Sequence, residues 1–353
     1  MPTRDAVIAA LGNVIDPELR KPVTELDMVR DVAIDGEDVT VRIALTVAGC
    51  PLRSSFQDQV AKEVGSLDGV ASVRLDFDVM TPDERAALTT RLRGGVEQRG
   101  IQLPATTRVL AVASGKGGVG KSTLTVNIAA ALAGMGHEVG VLDADIYGHS
   151  IPHMLGISQK PVVVDKMIVP PVAHDLRLMS IGFFLDDNQP VMWRGPMLHR
   201  ALEQFLQDVH WGDLDVLVVD MPPGTGDVSI SLGQLLPRAE AVVVTTPQPL
   251  AQEVASRAAT MAQKTGMRVV GVIENMTSDV FGAGGGERLA NELGVPLLGS
   301  VPLDARVREA ADAGEPLVTR DPDCEPAQAS LAIAHAIDES RAGGFTRTLP
   351  LVS

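Results

Sequence analysis

Apolar and polar positions change texture once along this chain. Over residues 1–80 the apolar positions are broken at short, regular intervals. "TRDAVIAALGNV" has helical spacing, and "DVAIDGEDVTVRIALTV" reads as two strands split by a turn at Asp35-Gly36-Glu37-Asp38. "SSFQDQVAKEVGSL" reads as a helix, and "ASVRLDFDVM" alternates as a half-buried strand does. Together these predict a small α/β domain over 1–80. A linker is expected over 81–106. Its first part, "TPDERAALTTRLRGG", has a Thr81 cap, Pro82 at the first helical position and a glycine stop, while "VEQRGIQLPATTR" has no strong pattern.

From residue 107 the apolar runs become nearly continuous: "RVLAVAS", "EVGVLDAD", "LDVLVVDMPP", "AEAVVVTTPQ", "MRVVGVIENM" and "VPLLGSVPLD". Strands buried on both faces and alternating with helices read this way. The pattern predicts a mostly parallel sheet in an α/β fold over 107–345, with a tail at 346–353. Several runs end in Asp, Ser, Thr, Asn or Gln. Such residues sit at the carboxyl edge of the sheet, where open α/β proteins bind ligands.

Composition narrows the classes. A chain of 353 residues with 45% hydrophobic content suggests two domains with real cores. No apolar stretch approaches the roughly 20 residues of a membrane span. The first residues do not read as a signal peptide. Two cysteines, Cys50 and Cys324, cannot form a disulfide framework, so a reducing, cytoplasmic setting is expected. The net charge of −15, with no Lys/Arg block longer than two, argues against partners with nucleic acid or anionic membrane surfaces. Aromatics at 3% leave little for stacking on single strands.

"SGKGGVGKST", residues 114–123, is the strongest chemical signal. It satisfies G-x-x-x-x-G-K-[ST] from Gly115 to Ser122, with a strand before it and a helix after it. Gly115, Gly117, Gly118 and Gly120, with Val119, let backbone N–H groups curl around phosphate oxygens, and the helix N-terminus that includes Thr123 adds its dipole. Lys121 can reach the β- and γ-phosphates, and the Ser122 hydroxyl can bind Mg²⁺. Asp143 and Asp145 follow one buried run and Asp220 ends another. Asp220 sits where a carboxylate would approach the Mg²⁺, and Gly224 and Gly226 let the next loop change shape with the γ-phosphate. A helix cap is the other reading of any one of these acids. Asn275, at a further strand end, has an amide able to donate to and accept from an adenine edge; a turn-forming asparagine is its other reading.

Lys116 is a second lysine inside the loop. With it the sequence resembles the deviant-Walker subclass of P-loop ATPases, which includes nitrogenase iron protein, ParA and MinD. The resemblance implies a dimer in which Lys116 reaches the partner's nucleotide, Asp145 orients the attacking water and Asn275 reads the base. "ASGKGGVGKSTLTVNIAAALA", "VGVLDADIYGHSIPHMLG", "VMWRGPML", "LDVLVVDMPPGTGDVSISL" and "FGAGGGERLA" narrow the match, and the chain is similar to the Mrp family of iron–sulfur cluster carrier ATPases. "VIDPELRKPVTELDMV" and "LTVAGCPLRSSF" resemble the small N-terminal domain that recurs in iron–sulfur assembly factors. The fold class implied is a P-loop NTPase with a small N-terminal α/β domain, and the function is a homodimeric, Mg-dependent ATPase that carries clusters to apoprotein clients or assembly factors.

One feature departs from that family. Its cluster-bridging members carry a C-x-x-C between the Asn-Met and the glycine cluster, so that two subunits supply four thiolates. Here "TSDV" fills the interval, and no cysteine lies between Cys50 and Cys324. Pro51 reads as the first residue of a helix, which places Cys50 at a cap where a thiolate is favoured. Cys50 therefore reads as a cluster or metal thiol, or equally as a structural cysteine. Asp16 and Glu18 belong to the same signature with an opposing electrostatic effect, and Cys324 matches no signature. Two other functions stand beside the carrier: a cluster-independent, nucleotide-switched scaffold, favoured by the missing C-x-x-C, and a MinD- or ParA-like positioning ATPase, for which the chain offers no basic amphipathic C-terminal helix. Trp193 and Arg194 in "VMWRGPML" read as a dimer or partner surface, or as core.

Overall fold

A computed structural model describes residues 2–47, 52–92, 101, 103, 104, 106–146, 148–184 and 195–342, without the side chains of 195, 196, 227, 341 and 342. Cys50, Pro51, Trp193, Arg194 and the tail at 346–353 lie outside the described residues. The chain forms two compact units. One is Met1–Gln102 with Pro161–Pro170 and Asp208–Gly212; the other is Leu103–Lys160 with Pro171–Gln207 and Asp213–Ser353.

The first unit opens with helix α1 (Arg4–Leu11), capped by the Thr3 hydroxyl. Strands β1 (Val29–Asp35) and β2 (Asp38–Leu45) pair antiparallel, with Gly36 at φ +63 allowing the tight connection between Asp35 and Asp38. Helix α2 (Arg53–Gly65) then crosses over, burying Phe56, Val60 and Val64 at a spacing of four. Strand β3 (Ser72–Val79) returns parallel to β2, giving the order β1-β2-β3. Helix α3 (Pro82–Leu92) starts at a capping box: Thr81 Oγ1 accepts from the Glu84 N–H, and Glu84 Oε2 accepts from the Thr81 N–H. Its Leu88 is buried in the same core as Val7, Val41 and Phe56, so α3, expected within a linker, packs as part of this unit.

The second unit carries strands β4 (Arg108–Ser114) and β5 (Val139–Asp143), joined by helix α4 (Lys121–Gly134), and the one-turn helix α5 (Ile151–Met154). The chain then contributes a hairpin of β6 (Val162–Val164) and β7 (Met167–Val169) to the first unit's core. It continues in the second with β8 (Val172–Ala173), β9 (Leu176–Ser180), α6 (Gly195–Gln207), β10 (Val216–Asp220), α7 (Asp227–Leu235), β11 (Glu240–Thr245), α8 (Pro249–Lys264), β12 (Arg268–Thr277), α9 (Gly285–Leu293), β13 (Leu297–Pro302), α10 (Ala305–Ala313), α11 (Leu317–Arg320) and α12 (Glu325–Ala342). The eight-stranded sheet has the order β13-β12-β11-β4-β10-β5-β9-β8. Every neighbouring pair is parallel except β8–β9 at the edge. The mostly parallel sheet agrees with the apolar runs. Strands β5 and β10 are buried at every position, so helices must cover both faces.

At the amino edge, Arg108 on β4 donates to Glu240 Oε2 at 2.6 Å and to the Ile337 carbonyl of α12. At the carboxyl edge, Ser114, Asp143, Asp220, Thr245 and Asn275 stand near the ends of β4, β5, β10, β11 and β12. Asp143 and Asp220 are register partners on adjacent strands.

Candidate active site

The loop Gly115–Gly120 joins β4 to α4. Gly118 and Gly120 have φ of +79 and +80, a conformation that glycine adopts without steric cost. Gly120 is the N-cap of α4 and no side chain caps the helix, so its first N–H groups are available to an anion. Gly115 is needed for space: a Cβ there would lie 2.1 Å from the backbone carbonyl carbon of Val254 on α8. A cleft of about 370 Å³ lies over the loop, lined among others by Lys116, Gly118, Lys121, Ser122, Asp145 and Pro223.

Beneath the loop the charged groups converge. Lys121 Nζ is 2.7 Å from Asp220 Oδ1 and 3.6 Å from Asp145 Oδ2. The Ser122 hydroxyl donates to Asp220 Oδ2 at 2.6 Å. Thr125 Oγ1 lies 2.9 Å from Asp220 Oδ1 and 3.0 Å from the Lys121 carbonyl oxygen. Burial raises the Asp220 carboxyl, against the pull of Lys121 and the two hydroxyls. Asp143 is pushed up to about 8, first by burial and then by the charge of Asp220. Its carboxylate oxygens accept from the Ser180 hydroxyl at 2.9 Å and from the Asp145 N–H at 3.3 Å, so it holds the start of the loop that carries Asp145. Asp145 Oδ1 in turn accepts from the Gly148 N–H at 3.1 Å. The Gly224 N–H donates to the Ser114 carbonyl at 2.8 Å, tying the loop after β10 to the phosphate loop.

Asn275 is buried against the phosphate loop. Its Nδ2 donates to the Val119 carbonyl at 2.8 Å, and a Cβ on Gly120 would fall 2.2 Å from that same nitrogen. Lys116 is exposed at the rim, with its carbonyl accepting from Ser114 Oγ. Gly117 and Gly118 have open space where a Cβ would point. Thr123 lies in the first turn of α4, its carbonyl accepting from Asn127.

The second glycine cluster has a different occupant. Glu274 is buried, and its Oε1 accepts from the N–H groups of Gly285 at 2.6 Å and Gly286 at 3.0 Å. Its Oε2 accepts from the Gly284 N–H at 3.1 Å and the Ser300 hydroxyl at 3.2 Å. The helix N-terminus within "FGAGGGE" is thus filled by the chain's own carboxylate. A Cβ on Gly286 would meet Glu274 Cβ at 2.5 Å, which accounts for that glycine. Glu274, Ser180 and Thr125 are site-supporting residues that sequence reasoning missed. Only the adjacency of Glu274 to Asn275 hinted at the first.

In the small unit, Asp16 Oδ1 accepts from the N–H groups of Glu18 and Leu19 at 2.8 and 2.9 Å. Burial raises Asp16, and Glu18 is pushed up to about 7 by burial and then by the charge of Asp16. Cys324, which matches no signature, is buried at the start of α12, where burial pushes its thiol up. Among the described residues no group of three or more His, Cys, Asp or Glu side chains is arranged to hold a metal ion.

Comparison with known proteins follows the two units. Residues 105–338 match the family model described as NUBPL iron-transfer P-loop NTPase, and residues 4–75 match that of an iron-sulfur cluster assembly protein. The iron-sulfur cluster carrier protein of Mycobacterium bovis is 52% identical over 358 residues, covering 96% of this chain and 94% of that protein. The protein of the same description from Bacillus subtilis is 42% identical, covering 85% of this chain and 88% of that one. Among solved structures, a nucleotide-binding protein from Archaeoglobus fulgidus in complex with ADP aligns with TM-score 0.54 and 35% identity, over 62% of this chain and 89% of that one. The septum site-determining protein MinD from Pyrococcus horikoshii, with Mg-ADP, aligns with TM-score 0.53 and 24% identity over 67% of this chain and 98% of that one, a likeness of fold.

Proposed function

The chain belongs to the iron-transfer P-loop NTPase family of iron-sulfur cluster carriers, and from that premise we propose that it binds and hydrolyses ATP as a homodimer and carries iron–sulfur clusters to apoproteins. The observation that carries the nucleotide part is the convergence of Lys121, Ser122, Asp145 and Asp220 beneath an uncapped helix N-terminus.

The phosphate chain lies along the N–H groups of Gly115–Thr123. Lys121 exchanges its carboxylate partners for β- and γ-phosphate oxygens. Ser122 Oγ and Asp220 Oδ2, hard oxygen donors 2.6 Å apart, suit Mg²⁺ and would hold it. When bound, that ion neutralises charge on the transferring phosphoryl group. Asp145 orients the attacking water, Lys116 reaches the partner's nucleotide and Asn275 recognises the adenine edge. Reading the base requires Asn275 to give up or share its bond to Val119. Catalysis is then positioning and electrostatics. Phosphate release by the purified protein, wild type beside Lys121→Ala, tests this reading. Loss of release in the variant supports it, and unchanged turnover overturns it.

The cluster is cargo, and its thiols must come from few places. "TSDV" at 277–280 holds no cysteine and Cys324 is buried, which leaves Cys50 as the chain's candidate ligand, with a client or assembly factor completing the set. The same facts support a second reading, a nucleotide-switched scaffold that captures partners without a cluster. No helix of the described residues is long and apolar enough to cross a membrane. With a net charge of −15, protein partners in the cytoplasm suit the chain better than nucleic acid or anionic membrane surfaces.

A further inference from the structure

Strand β12 ends in a bulge. Asn275 pairs with Val301 and Thr277 with Pro302, so Met276 is one residue extra against β13. Its φ is +63, a left-handed conformation that a side chain with a Cβ disfavours. Consecutive strand residues ordinarily face opposite sides of a sheet. Here the bulge brings two consecutive side chains to one place. A Cβ built on Gly120 would lie 2.2 Å from Asn275 Nδ2 and 3.4 Å from Met276 Cε. Both side chains therefore border the space into which a side chain on Gly120 would point, beside the residue that caps α4 and closes the phosphate loop. Beyond the bulge, the Thr277 carbonyl accepts from the Leu303 N–H at 2.9 Å, and Ser278 and Gly282 exchange N–H···O bonds at 3.2 and 2.7 Å. The bulge is thus held on both sides, by the phosphate loop before it and by a closed turn after it.

We propose that Met276 is a positioning residue for the nucleotide: its thioether, delivered by the left-handed bulge, braces Gly120 so that the N–H groups of the phosphate loop keep the shape that receives phosphate. The inference rests on the nucleotide site described above. A strained conformation persists where the surroundings compensate for it, and such residues cluster at ligand sites. The backbone at 276 would be better served by glycine or asparagine. What methionine adds is an apolar side chain that fills the space beside Gly120.

Three substitutions separate the brace from the backbone. Met276→Gly and Met276→Asn suit the left-handed conformation but withdraw the side chain; Met276→Leu keeps an apolar side chain of similar volume. Calorimetric titration with MgADP and steady-state ATP kinetics are the measurements. The glycine and asparagine variants are expected to bind MgADP about fivefold more weakly, the scale of one lost packing contact. They should raise KM for ATP more than they lower kcat, as loss of uniform binding does, while the leucine variant restores binding. Affinities are compared at a temperature where circular dichroism shows each variant folded, so a lower melting point does not blur the result. Wild-type affinity in Met276→Gly, or a fall in kcat with KM unchanged, would overturn the proposal. Lys121→Ala separates the two readings. If wild type fails to bind MgADP, or Lys121→Ala binds as tightly, the nucleotide site itself is wrong. If only Met276→Gly matches wild type, the brace alone is wrong.

Discussion

Lys121 Nζ lies 2.7 Å from Asp220 Oδ1, and both side chains are buried. The pair is more than an ion pair waiting for nucleotide. Asp220 also takes the Ser122 hydroxyl, so the whole polar floor of the phosphate loop is built around one carboxylate. Deleting Lys121 leaves that carboxylate buried without its cation. Lys121→Ala should therefore lose about 3 kcal/mol of stability in the absence of nucleotide, the usual cost of an uncompensated buried charge. The double variant Lys121→Ala/Asp220→Asn should recover most of it. Urea unfolding of the four proteins of this cycle measures the coupling, and additive effects would show that the pair contributes nothing.

Glu274 should behave as a structural anion. It satisfies three N–H groups at the start of α9 and the Ser300 hydroxyl. Glu274→Ala leaves the buried N–H groups of Gly285 and Gly286 without an acceptor and should cost about 2–4 kcal/mol. Glu274→Gln should fall between, since one side of an amide can still accept. Gly285→Ala should be as harmful, because its Cβ would lie 2.6 Å from the Pro247 carbonyl oxygen. Thermal melts of the three variants check the order, and a Glu274→Ala protein as stable as wild type would contradict it.

This carboxylate also shows where sequence reading stops. The phosphate loop was legible because its residues are consecutive and follow a buried strand. The parallel sheet was legible because β5 and β10 are apolar at nearly every position, which only burial on both faces requires. Glu274 was not legible, since its partners lie up to 26 positions away with no periodicity to mark them. The sequence marks Asn275 as a base contact or a turn former, while its bond to Val119, across 156 positions, has no mark in the sequence. The β6–β7 hairpin has three-residue strands, too short for alternation to register, and it joins a core whose other members lie at least 70 positions before it.

The stability of the chain should fall as pH rises through the range set by Glu18. Its carboxyl goes from an ordinary 4.5 to about 7 in the fold, through burial and then the charge of Asp16. The folded state thus holds a proton that the unfolded chain releases near pH 4.5. The stabilisation is complete below that value and is lost as pH climbs towards about 7, at no more than about 1.4 kcal/mol per pH unit. Glu18→Gln mimics the protonated acid and should flatten this part of the profile. Urea midpoints of wild type and variant at pH 5, 6, 7 and 8 test it; parallel profiles would remove Glu18 from the account.

The family carries clusters, yet this chain has two cysteines and the structure buries one of them, Cys324, at the start of α12. A thiol raised by burial is a poor thiolate donor, so Cys324→Ala should leave iron and sulfide content unchanged. If Cys50 is the ligand, protein purified anaerobically and reconstituted with iron and sulfide should show visible charge-transfer absorbance. Cys50→Ala should abolish both that absorbance and cluster transfer to an apoprotein. Because one chain supplies one such thiol, a homodimer offers two, half of what a four-thiolate centre needs. Occupancy should therefore rise when a thiol-bearing partner, or a small thiol such as glutathione, is added. If the protein stays colourless under all these conditions but still captures partners in an ATP-dependent way, with Cys50→Ala indistinguishable from wild type, the scaffold reading replaces the carrier. The nucleotide site would be untouched by that outcome, since none of its residues is a cysteine.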